Sequence, residues 1–168
     1  MAPNPHDNIY EATRLCARLY ASAIWQKLPF SATARGTSHH ASILHCDAPP
    51  SSIRAALLKT DLRDCWDGMA GVLLWITLVA GAACNALPYT IPRRPSLVLG
   101  SPTMPTPVTE EDKTRKWLLA LAIRCSILLS FEHTAAITQT LRRLLAVQEM
   151  LASGYAGPSA QSSHSQYW

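Results

Sequence analysis

The stretch that decides the fold is Gly68 to Cys84, GMAGVLLWITLVAGAAC, which is non-polar on every helical face except at Thr77. A helix of that kind belongs at the centre of a bundle or in a membrane. Its roughly 17 residues fall at the short edge of what crosses a bilayer, where about 20 are needed. Its flanks favour protein. Asp61, Asp64 and Asp67 crowd one end, and no basic pair follows the other until Arg93 and Arg94, beyond Pro88 and Pro92. The reading is a buried core helix, with a membrane anchor over residues 68–87 as the alternative.

Outward from this run, apolar residues recur at helical spacing on both sides. From Asp7 to Leu28, the residues Ile9, Leu15, Cys16, Leu19, Tyr20 and Ile24 make one amphipathic helix, with Asp7 as its cap and Pro29 beyond its end. Residues 30–52 lack sustained periodicity and read as a long connection. Ser51 or Ser52 opens a second helix that carries Ile53, Leu57, Leu58, Leu62 and Cys65 inward, since Pro49 and Pro50 bar an earlier start. Six prolines between Pro88 and Pro107 mark residues 85–108 as an irregular loop.

Thr109 followed by Glu110, Glu111 and Asp112 is a strong helix start, because the hydroxyl caps and the acids complement the positive end of the helix dipole. Trp117, Leu118, Leu121, Ala122, Cys125, Leu128 and Leu129 follow as an inward stripe. The pattern resets near Glu132 and His133, and Ile137, Leu141, Leu144, Leu145 and Leu151 define a last helix that closes near Gly154. The expectation is an all-α fold: about five helices in an irregular helical bundle, a single domain over residues 1–151, and a disordered tail over 152–168.

The 168 residues and 48% apolar content suffice for a sizeable core. A net charge of +4 permits nucleic-acid binding, but the basic residues are scattered, with Arg93-Arg94, Arg115-Lys116 and Arg142-Arg143 as adjacent pairs. Five cysteines, Cys16, Cys46, Cys65, Cys84 and Cys125, are odd in number and set mostly in apolar surroundings, which suits reduced thiols in an intracellular core. The start, MAPNPHDNIYEATR, has no basic segment leading into an apolar one and points away from a secretory signal.

Candidate chemistry is sparse. His39, His40, His45 and Cys46 carry zinc-type donors but lack the second separated pair that a tetrahedral site draws on. Asp61, Asp64 and Asp67 lie near one helical face, where Arg63 and a helix end give an ordinary explanation. No GxSxG, HExxH or phosphate-binding glycine loop occurs. The expectation is therefore no enzyme, no catalytic residue, no metal site and no cofactor. Arg124 interrupts the apolar stretch from Trp117 to Phe131 and must pair or reach water.

Three segments taken together carry a resemblance: residues 8–31, 64–85 and 115–150. Arg14-Leu15 with Tyr20, Leu73-Leu74-Trp75 with Gly81, and Trp117 with Arg124 resemble the C-terminal part of fungal-specific transcription factor regulatory domains. The resemblance implies an all-helical, non-enzymatic, nuclear regulatory module that receives a protein partner or small effector in an apolar groove. Such modules usually stand behind a six-cysteine binuclear zinc cluster. The cysteines of this chain do not supply those closely spaced ligands, so the expectation is a fragment or truncated relative that does not itself bind DNA.

Overall fold

A computed structural model describes residues 5–36, 48–63, 66, 68–84 and 109–155. Among them the fold is all-α, with five helices and no strand. The helix α1 spans Pro5–Gln26, α2 Phe30–Ala34, α3 Pro50–Leu58, α4 Ala70–Ala83 and α5 Glu110–Tyr155.

In α1, Ile9, Ala12, Leu15, Cys16, Leu19 and Ala23 form one buried face. The helix begins two residues before Asp7, at Pro5, where a missing N–H costs nothing, and Asp7 sits in the first turn. Its other end is a two-bond terminus: the Leu28 N–H donates to the Ala23 carbonyl at 3.1 Å and the Lys27 N–H to the Ile24 carbonyl at 3.3 Å. Lys27 takes the left-handed conformation that this cap demands, at φ 53°. The chain therefore turns before Pro29 is reached.

The short helix α2 lies inside the segment that reads as a connection. Five residues are too few to show periodicity, and what holds them is tertiary: Phe30 is buried and stacks on Tyr20 with ring centroids 5.7 Å apart.

The second expected helix is cut short. Pro50 takes its first position, and it ends at Leu58 rather than running on to Cys65. The Lys59 and Thr60 N–H groups tighten onto Ala56 and Leu57, and the Thr60 hydroxyl also donates to the Leu57 carbonyl at 2.7 Å. Leu58 consequently faces outward, 55% exposed, where the pattern put it inward. The turn that follows brings Trp66 into the core, where its indole N–H donates to Thr60 Oγ1 at 3.0 Å. Cys65 lies outside the described residues, as do Cys46, Asp64, Asp67, His39, His40, His45, the proline-rich loop 85–108 and residues 156–168.

The apolar run becomes α4, enclosed by α1, α2 and α5. Leu73, Leu74, Ile76, Thr77, Val79, Ala80 and Ala83 are buried, and the Thr77 hydroxyl donates to the Leu74 carbonyl at 2.8 Å, so its polarity is satisfied within the helix. Its 14 residues reach about 21 Å, short of a bilayer's apolar core of about 30 Å.

Thr109 caps α5 as its sequence implies: its Oγ1 accepts from the Asp112 N–H at 3.2 Å, and its hydroxyl donates to the Asp112 carboxylate at 3.0 Å. The two expected C-terminal helices are one continuous 46-residue element with a kink at His133, where φ is −134° and ψ 36°. The pattern reset near Glu132 and His133 marks that kink. Leu118, Leu121, Ala122 and Cys125 are buried as expected, whereas Leu128 and Leu145, expected inward, are more than half exposed. Among the described residues, α5 is the helix that is long and apolar enough to cross a membrane, by length and composition only, with a mean hydropathy of 1.4 over its best window and 22% of that window buried.

Candidate functional site

The abrupt end of α3 and the turn behind it leave a gap between the start of α4 and the middle of α5. The result is a groove of about 530 Å³. Its floor is apolar, built from Leu62, Trp66, Leu73, Leu121 and Leu129. Its rim is charged: Arg63 comes from the α3–α4 turn, while Arg124 and, two turns on, Glu132 and His133 come from two levels of α5. Glu132 and His133 stand 3.9 Å apart at the kink, both exposed. Among the described residues, neither Arg63 nor Arg124 forms an ion pair, and both are exposed at the mouth, where a guanidinium group suits an anion.

The reading of Arg124 as a residue that reaches water holds, and the structure adds that it does so at the edge of this groove. Glu132 lines the same groove two turns further along α5 without pairing with Arg124. Asp61 is exposed and accepts the Arg63 N–H at 2.9 Å, an ordinary turn contact. Arg63, Trp66 and His133 escape sequence reasoning as site residues, because only the turn after α3 and the α5 kink bring them together.

Cys125 sits at the groove's inner wall, where burial pushes its thiol up despite the opposing charge of Arg124. Cys84 is pushed up to about 11, first by burial and then by Glu111, and Cys16 to about 12 by burial alone. Thiols held this far above neutrality are poor nucleophiles. All three are buried packing residues.

A second cavity, of about 310 Å³, lies where the end of α2, the start of α3 and the start of α5 meet around Cys84. Glu110, at its edge, is already engaged. Glu110 accepts from Arg54 at 2.8 Å and pairs with Lys113 at 3.2 Å, and these two hydrogen bonds hold its carboxyl below the ordinary value. Arg54 also donates to Thr114 at 3.3 Å and lies 5.9 Å from the centre of the Trp117 ring. That region is a brace between α3 and α5.

The residues behind the family resemblance do packing work of this kind. Arg14 pairs with Glu11 at 2.8 Å, Leu15 is buried, Tyr20 meets Trp75 edge-on at 5.9 Å, and Trp117 lies under Arg54. Among the described residues, no group of three or more His, Cys, Asp or Glu is placed to hold a metal ion. No protein-family model, curated protein or solved structure matches the chain.

Proposed function

We propose that this chain is a non-enzymatic helical interaction module of the transcription-regulator type, which receives a protein partner or a small effector in the groove between α4 and α5. The observation that supports this reading is the groove itself: an apolar floor beside two arginines that form no ion pair among the described residues suits an occupant with an apolar body and an acidic group. DNA contact is not assigned to these residues, since their cysteine spacing does not suit a binuclear zinc cluster. A nuclear location belongs to the same reading.

The test is a reporter assay with the chain fused to an unrelated DNA-binding domain, alongside Gly71→Trp. Gly71 is exposed and lines the groove, and a Cβ added there meets nothing within 4 Å, so the backbone accepts a side chain at a position from which an indole obstructs the site; an unaltered circular dichroism spectrum checks that the variant is folded. The expected result is a change in reporter expression that Gly71→Trp abolishes. Expression equal to that of the DNA-binding domain alone under all conditions overturns the proposal, as does an effect that survives the filled groove.

A further inference from the structure

Between Trp117 and Phe131, α5 is apolar on the side facing away from the bundle as well as on the side facing α4. At about 100° per residue, Leu118, Leu121, Ala122 and Cys125 point toward the core, while Leu119, Ile123, Ile127 and Phe131 point the opposite way. Those four are 56%, 51%, 54% and 84% exposed. A solvent-facing helix side is normally polar, so a row of this kind implies an occupant. The row is distinct from the groove, which lies toward the core-facing side of the same helix.

The charge around the row selects the occupant. Between Arg115 and Phe131 the charged residues are Arg115, Lys116 and Arg124, all basic, and Lys116 and Arg124 flank the exposed row; the acids beyond it are Glu110, which is paired with Lys113 and Arg54, Glu111 and Asp112 in the first turn of α5, and Glu132 on the groove. A second copy of the chain fits poorly, because a two-fold antiparallel pairing centred on the row sets Arg124 beside its own counterpart. The row is also a convex ridge about 18 Å long. A protein partner would have to supply a matching trough, whereas a lipid surface accepts a ridge with no shape of its own. Spanning is disfavoured by Arg124 near the middle of the stretch and by the α4 contacts that α5 would forfeit.

We propose that α5 docks by this face on an anionic lipid surface. It lies in the membrane plane with Leu119, Ile123, Ile127 and Phe131 at the acyl boundary, and with Lys116 and Arg124 extended to the phosphates. The test is flotation of the full chain with vesicles of phosphatidylcholine alone or with phosphatidylserine added. Expected is binding to the anionic vesicles that weakens with salt, weakens about fivefold or more in Arg124→Glu, and weakens about tenfold or more in Ile123→Ser/Ile127→Ser. Both variants change outward positions, and an unaltered circular dichroism spectrum checks that each is folded. Four results overturn the proposal: no binding to either vesicle, binding that both variants retain, retention that resists alkaline carbonate, or binding to an acidic amphipathic peptide without binding to vesicles.

Discussion

Truncating Ile76 to alanine measures how completely protein encloses the apolar helix. Ile76 is fully buried at the middle of α4, and its carbonyl lies 3.9 Å from the Cys16 sulfur on α1. Ile76→Ala removes three carbons from that position. At about 0.8 kcal/mol per buried carbon, the transfer loss alone is about 2.4 kcal/mol. The space left between α4 and its neighbours closes only in part, which raises the expected cost to about 3.5 kcal/mol. For a domain of this size that lowers the melting temperature by about 7 to 14 °C. Urea unfolding followed at the helical circular dichroism band reads the loss as an earlier midpoint with an unchanged slope. Val72, on the same helix but 38% exposed, is the internal control, and Val72→Ala is expected to cost less than about 1 kcal/mol. Equal, small losses in the two variants would refute the reasoning, because α4 would then not be surrounded by α1, α2 and α5.

Further outcomes follow from single contacts. Thr60→Val leaves the buried Trp66 indole N–H without its acceptor and is expected to cost about 1 to 3 kcal/mol, with a shifted tryptophan emission in the folded protein as a second readout. Two glycines should respond with opposite signs, although an added side chain meets nothing within 4 Å at either. Gly68→Ala destabilises by about 1 kcal/mol because φ is 71° there, while Gly81→Ala, inside α4, stabilises by about 0.5 to 1 kcal/mol, both read by chemical unfolding. Glu110 has a lowered pKa in the folded state, so its stabilising contribution is present above the ordinary value of 4.5 and is lost as pH falls through the lower folded value. The difference in melting temperature between wild type and Glu110→Gln should therefore shrink on acidification below that value; a constant difference would show that the Arg54 and Lys113 contacts do not couple to protonation.

Helix type and approximate placement were legible wherever a segment was long enough to show a period. The residues Ile9 to Ala23 of α1 bury the face that their spacing indicates, and Thr109 to Asp112 form the cap that their chemistry indicates. Terminations were less legible. The end of α1 depends on Lys27 adopting a conformation usually left to glycine, and the end of α3 depends on a threonine hydroxyl competing for a helix carbonyl. The α2 helix was hidden because it follows from stacking on a residue of another helix. The groove was hidden for the same reason: its rim comes from a turn and a kink whose directions no local pattern encodes.

By itself, then, the sequence determined that the chain is helical and that the run from Gly68 to Cys84 must be shielded from water, because hydrophobic periodicity and capping act over a turn or two of chain. The tertiary structure alone decided which helices do the shielding, that the groove opens beside Arg124, and that Leu119, Ile123, Ile127 and Phe131 remain uncovered. A helix that is apolar all round carries no mark of which side its neighbours will take. That choice is made when packing against α4 buries one face of α5 and leaves the other outside.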